Sequence, residues 1–566
     1  MRISTIPQNA HVLLAWLLAG LCALLVAAAH LRIDNTVIDD AFITYRYAAR
    51  LAAGERLTYN AGERVLGTTT PGYAMLLAGA ALLTGVEALP LVSRLLNMGL
   101  LLAAGGLAVV SARRFVRVPL ARVVIFALFV LSPKTLIASF SGMESALFLA
   151  LLTGGVWALL AERWGTGAIA LGLLPIVRPE GVFVCGLVGA LTLFHLLRRA
   201  SGRADNDWPA PGWRRLVAYA ALLALPYALW LLAQWAYYGS LVPHSVVAKR
   251  AGLYSIGVVG SFLSLLGGLS ETYFLALLLT NDYSRLPSVT VTGALLLLLA
   301  LLALLALGGR RVARAHPLLA LLPLFTGVML VFYAVSETLI FPQYYAFFEP
   351  LAKICWWGGL ALTLAAAMKR LAPERVGLEG LAWGIAAALA LLPALALYPY
   401  RTVAEQTIDL HETEIAILRQ PTYRALAQQL APLLPAGTVV LTPEIGELGF
   451  YLPQAHILDS AGLVSPQAVA YYPLAAELQT RAGVIPPGLI ADYRPDVIIT
   501  LDFFLPETVR ARAWFNEAYA AVVVWRYAWL PPGSEGLYVY SRRDFAAGMA
   551  LAAAAVTMQE PRWTGR

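Results

Sequence analysis

Two adjacent carboxylates, Asp39 and Asp40, stand shortly after an apolar run over residues 12–31. About 20 apolar residues suffice to cross a bilayer, so this run reads as a span and puts the acids at the membrane–water boundary. A head group carried on a membrane lipid is presented at that level. From Asp39 or Asp40 a helix is predicted to run to Gly54, with an Asp as N-cap or first-turn residue. Neighbours in a helix point in different directions, so one of the two acids faces any given pocket. Asp39, Ile43, Arg46 and Arg50 fall on one stripe at helical spacing. A carboxylate at a helix N-terminus is held ionised by the dipole, which suits a general base waiting for a proton. The plainer role is a cap with a spare surface acid; the position directly after a first span favours chemistry.

Other polar groups stand at the boundaries of apolar runs. Glu144 lies in the turn Ser141-Gly-Met-Glu-Ser145, where it would otherwise simply begin the next helix. Arg178 and Glu180 bracket Pro179 and are close enough to pair with each other. His244, Lys249 and Arg250 bring cations into a loop without acids, a natural phosphate clamp or a contact for anionic lipid. Phe341-Pro-Gln-Tyr344-Tyr345 offers rings with hydroxyl tips suited to a carbohydrate, although aromatic belts occur at every membrane interface.

The elements that must position these groups are mostly membrane helices. The chain is 60% hydrophobic and 13% charged, the composition of a polytopic membrane protein. Its net charge of +8 comes almost wholly from arginine, because Lys134, Lys249, Lys353 and Lys369 are the only lysines. The arginines cluster in short loops, which marks them as topology signals and not as a nucleic-acid surface. Cys22, Cys185 and Cys355 lie inside apolar runs, where packing explains them better than a disulfide framework or metal site. There is no GxxxxGK[ST], HExxH or paired CxxC, so nucleotide hydrolysis and zinc chemistry lack support.

Further spans are expected at 91–110, 123–139, 143–160, 166–177, 182–197, 216–236, 289–307, 318–335, 351–368 and 381–398. With 12–31, read as an uncleaved helix despite Ala27-Ala-Ala29, these make eleven. Basic clusters at Arg113–Arg122, Arg163, Arg198–Arg215, Arg310–Arg314 and Lys369–Arg375 all fall on one side, the cytoplasmic side by the positive-inside rule. Parity then allows one crossing between the first loop and Arg113. The short apolar stretch 73–83, preceded by Thr68-Thr-Thr-Pro-Gly72, is therefore expected to be an interfacial or re-entrant helix. In this register the polar clusters share the outer, extracytoplasmic face of the membrane.

Three regions follow: a polytopic domain over 1–400, a soluble α/β domain over 401–543 on the outer side, and an apolar tail over 544–566 that is either an interfacial helix or loosely ordered. The soluble domain is read from β-type runs at 438–441, 496–500, 521–525 and 537–540, with a helix at 423–434. The fold class is thus mainly α, with a carboxy-terminal α/β domain.

The run Asp39-Asp-Ala-Phe-Ile-Thr-Tyr-Arg-Tyr-Ala-Ala-Arg50, followed by Tyr59-Asn-Ala-Gly-Glu-Arg-Val65, resembles bacterial GT-C glycosyltransferases. The likeness is nearest to the actinobacterial terminal arabinofuranosyltransferase group and related polyprenyl-phosphate-sugar transferases. It extends through Ser141-Gly-Met-Glu144, Arg178-Pro-Glu-Gly181, Tyr238-Gly, Ala248-Lys249 and Leu458-Asp-Ser-Ala-Gly-Leu463. The resemblance implies a polyprenyl-phosphate-linked sugar donor, a catalytic acid at Asp39 or Asp40 and a second acidic position at Glu144. It further implies an extracytoplasmic glycan, glycolipid or protein acceptor. The chain departs from that pattern at His244, where relatives tend to have Asn, and at Gly67-Thr-Thr-Thr70, which lacks an aromatic.

Chemistry agrees with such a donor. A departing phosphate needs no protonation, so one base suffices for inverting transfer, whereas a glycosidase needs two carboxylates. Cationic side chains, or a bound divalent cation, would stabilise the charge developing on the phosphate. The runner-up is a non-enzymatic lipid-linked-sugar flippase, which would place its charges inside spans near the midplane.

Overall fold

The computed structural model describes residues 8–32, 38–114, 116, 118–201, 212–253, 256–272, 290–338, 340–371, 378, 380–386, 421–478, 483–526, 536–555 and 558. The chain divides into two compact units, Met1–Asp34 with Ser93–Leu232 and Ile256–Glu405, and Asn35–Val92 with Ala233–Ser255 and Gln406–Arg566.

The first unit is helical. Among the described residues, six helices of the chain are long and apolar enough to cross a membrane: Val12–Leu31, Val86–Ala112, Gly181–Arg198, Trp213–Tyr238, Pro317–Ala334 and Glu349–Leu371. The expected span at 123–139 is instead two helices, Pro119–Val130 and Pro133–Phe140, bent by 57°. Pro133 is the cause, since it carries no N–H and holds Ser132 extended at ψ 121°. Taken as one broken span, this pair makes a seventh crossing. The ranges 143–160 and 166–177 form the shorter helices Ser145–Leu160, Trp164–Gly172 and Leu174–Val177, and the described part of 289–307, from 290 on, lies within Thr290–Ala315. Most of 381–398 lies outside the described residues. The Trp213–Tyr238 helix turns Val217, Leu229, Leu232 and Trp235 outward, as a hydrocarbon-facing helix does. Cys22, Cys185 and Cys355 are free thiols.

The second unit combines two helices with a sheet. Helix α1 (Asp39–Ala52) ends at Ala53 and Gly54, whose φ of 81° turns the chain back as only glycine does easily. Helix α2 (Pro71–Thr84) starts on Pro71 and packs Tyr73, Ala74, Leu77 and Ala81 inward, lying against α1. The carboxy-terminal sheet has strands β1 (Val439–Thr442), β2 (His456–Asp459), β3 (Val497–Leu501), β4 (Tyr519–Trp525) and β5 (Leu537–Arg542) in the order β2-β1-β3-β5-β4. β1 pairs in parallel with β2 and β3, while β5 is antiparallel to β3 and β4. Every residue of central β3 is buried, which its Val-Ile-Ile-Thr-Leu run predicts. Edge strand β4 is only half covered and slips register between Ala521 and Val523. A helix over 421–430 buries Tyr423, Leu426, Ala427 and Leu430 at helical spacing. The apolar tail forms a helix, Gly548–Ala555, packed on β4 and β5 through Leu551.

Candidate active site

Helix α1 has Ile38 as its N-cap, with no side-chain capping bond, so Asp39 and Asp40 are first-turn residues. The predicted stripe faces one segment, residues 445–455. Asp39 accepts from the backbone amides of Gly446 and Glu447, one on each carboxylate oxygen, both at 2.8 Å. Gly446 permits that approach, since a Cβ there would overlap the Asp39 backbone carbonyl. One turn further on, Gly449 leaves room for the Tyr59 hydroxyl.

Arg46 is 2% exposed. Its guanidinium donates to the carbonyls of Tyr59 (2.9 Å), Ala455 (2.8 Å), Leu452 (3.3 Å) and Gly449, and lies 4.5 Å over the Tyr59 ring. Burial pulls its pKa down to about 10, still charged at neutral pH. Tyr59 donates to the Ile445 carbonyl at 2.5 Å. Asn60 both donates to the Ile457 carbonyl (2.9 Å) and accepts from its amide (3.0 Å), extending β2. Arg50 reaches the Pro453 carbonyl at 3.1 Å and pairs with Glu55 at 2.5 Å. Arg46 and Arg50, expected to meet substrate, thus have carbonyl and carboxylate partners within their own unit.

Asp40 is different. It is exposed, and it has no hydrogen-bond or ion-pair partner among the described residues. Close behind Asp39 lies Glu447, fully buried, with Oε1 on Arg424 at 2.7 Å and Oε2 unpartnered among the described residues. Burial pushes Glu447 up to about 8, against the pull of Arg424. Asp459, also buried, accepts from the amides of Ala461 and Val464 and shapes the Leu458–Leu463 loop, burial raising it to about 6.

In the first unit, Glu144, Arg178 and Glu180 form one buried cluster. Arg178 pairs with Glu144 and holds Glu180 through two bonds of 3.0 and 3.1 Å, while Tyr333 donates to Glu180 at 2.7 Å. Tyr344 stacks on Tyr333 at 5.7 Å, and the Arg178 guanidinium lies over the rings of Tyr344 and Phe347. One oxygen of Glu144 has no partner among the described residues. Tyr345 is buried separately, its hydroxyl on the Ser264 carbonyl at 3.1 Å and its ring under Lys134. In the second unit, His244 is half-buried, its amide on the Leu66 carbonyl at 2.8 Å; burial lowers its pKa. Lys249 is half-buried and Arg250 exposed.

The sequence reading missed Glu447, Arg424 and Tyr333. Glu447 stands in Gly446-Glu-Leu-Gly449, a pattern of two glycines one turn apart that signals close backbone approach but does not name the partner. No group of three or more His, Cys, Asp or Glu that could hold a metal ion occurs among the described residues. Each oxygen of Asp39 already accepts one amide, which leaves its remaining lone pairs and the Asp40 carboxylate as the oxygen donors at this turn.

Residues 408–544 match the family model of a Domain of unknown function (DUF8728). Over 241 residues the chain is 29% identical to the terminal beta-(1->2)-arabinofuranosyltransferase of Mycobacterium tuberculosis, a match covering 38% of this chain and 35% of the relative. This is a multi-pass membrane protein distantly similar to an arabinofuranosyltransferase. The likeness carried by the Asp39-Asp40 motif is to the same group of enzymes. The matched part spans only about a third of that curated relative's length, 35%.

Proposed function

We propose that this protein is an inverting glycosyltransferase that moves a sugar from a polyprenyl-phosphate donor to a glycan, glycolipid or protein acceptor outside the cytoplasm. An Asp40 face on the outer side of the membrane completes this reading. Asp40 takes the proton of the acceptor hydroxyl as that oxygen attacks the anomeric carbon. The bond from that carbon to the phosphate oxygen breaks, and polyprenyl phosphate leaves as the anion without needing a proton. The observation that carries the assignment is the contrast between the acids: Asp39 is fully engaged by amides, whereas Asp40 is exposed with both oxygens available. Lys249 and Arg250, in the π-helical turn Lys249–Leu253 of the same unit, are the cations proposed to meet the leaving phosphate. The relative's name supports arabinofuranose as the sugar to try first.

The test uses the purified full chain in proteoliposomes with a polyprenyl-phosphoryl arabinofuranose and an arabinofuranoside acceptor. Stoichiometric release of polyprenyl phosphate, with inverted anomeric configuration in the product, is expected. Movement of the donor between leaflets without any glycoside product contradicts the proposal and favours the flippase.

A further inference from the structure

Helix α1 lacks a side-chain cap of its own, and the first turn of an uncapped helix frays. The turn bearing Asp40 is nevertheless fixed, and it is fixed from the carboxy-terminal region. Two consecutive amides, of Gly446 and Glu447, take the two oxygens of Asp39, which sets both the rotamer of Asp39 and the course of the backbone that carries Asp40. The carbonyls of 449, 452 and 455 hold the same helix two turns later through Arg46. Those amides are held in turn by the Glu447–Arg424 pair, with Arg424 reaching in from the 421–430 helix.

We propose that the 445–459 segment is a positioning element for the base, with Glu447 as its positioning residue: Arg424 fixes Glu447, the amides of Gly446 and Glu447 fix Asp39, and Asp39 fixes the turn that presents Asp40. This assigns a role to a region that lies within the match to a domain of unknown function, and it rests on the reading of Asp40 as the base. A fully buried carboxyl with an unpartnered oxygen is a poor choice for stability alone, because an apolar residue there would avoid the desolvation. Glu447 lies on the short helix Gly446–Tyr451, and the groups facing it are Arg424, Asp39 and, from that helix, Tyr451. Burial raises Glu447 to about 8, so near neutral pH this carboxyl adds little negative charge beside Asp39. Above that pKa a second negative charge faces Asp39 and loosens the clamp.

Transfer from polyprenyl-phosphoryl arabinofuranose by the full chain in proteoliposomes tests this. Gly446→Ala forces the helix away from Asp39, and a displacement of that size is expected to lower kcat about 10²-fold with donor KM little changed. Wild-type kcat should fall about fourfold between pH 6.5 and 8.5, as one group with a pKa near 8 loses its proton, and Glu447→Gln should abolish that fall. Wild-type kcat in Gly446→Ala, or an unaltered pH profile in Glu447→Gln, overturns the proposal. If Gly446→Ala does not fold, the Glu447→Gln profile decides alone. Wild-type transfer by Asp40→Asn would instead refute the base assignment, whereas an inactive Asp40→Asn beside normal Gly446 and Glu447 variants refutes only the positioning role.

Discussion

Asp39 and Asp40 are neighbours with opposite surroundings, and the cations expected to serve them differ just as much. Arg178 is buried between Glu144 and Glu180, so its alanine variant leaves two acids without their countercharge. Breaking a buried pair in this way costs about 3–5 kcal/mol. Arg178→Ala should therefore appear as a large fall in the melting temperature of the detergent-solubilised protein. Arg250 is exposed and Lys249 half-exposed, so alanine there should leave melting unchanged. If they meet the donor phosphate, the effect is a rise of about tenfold or more in donor KM, the equivalent of a charge-assisted contact worth roughly 1.5–3 kcal/mol. Melting unaltered in Arg178→Ala would make the buried cluster dispensable. Wild-type donor KM in both loop variants would put the phosphate elsewhere.

At the scale of elements, the α1 stripe was legible because helical periodicity alone aligns Asp39, Arg46 and Arg50. Their partners were not legible. Arg46 and Arg50 donate to backbone carbonyls, and Asp39 accepts from backbone amides, all some 400 positions away, and a backbone group leaves no mark in the residue types. Strand β2 was missed for a related reason: His456-Ile-Leu-Asp459 is four residues long with a polar residue at each end, too short for a pattern. The Arg178–Glu180 pair could be read from spacing, but Tyr333 beneath it could not. Glu447 also gives this unit a pH signature. Its folded pKa of about 8 exceeds the usual 4.5, so between those values the folded chain keeps a proton that the unfolded chain has lost. Stability must then fall as pH rises through that window. Thermal melts of the full chain from pH 5 to 8.5 should show this decline, and Glu447→Gln should flatten it. Equal slopes in both proteins would mean that Glu447 titrates normally.

For the whole molecule, hydropathy identified the class and most helices, but not how many cross. Pro133 breaks one expected span, and 16 residues in Ser145–Leu160 fall short of another. Orientation rests on the arginine clusters alone, and it is open to a direct check. Single cysteines at Glu87 and Arg113 mark the two ends of the Val86–Ala112 span, and in a cysteine-free background a membrane-impermeant maleimide should reach them from opposite sides. Labelling from one side would remove the single crossing there. The central claim, that Asp40 is the base, has a sharper test. Asn keeps the shape of Asp but does not accept the proton, and a general base accounts for about 10²–10⁴-fold in rate. Transfer rate and donor binding should therefore be measured together for Asp40→Asn and Asp39→Asn in proteoliposomes. Asp40→Asn should bind donor normally and transfer at least about 10²-fold more slowly, with a milder loss in Asp39→Asn. Near wild-type transfer by Asp40→Asn would contradict the base assignment.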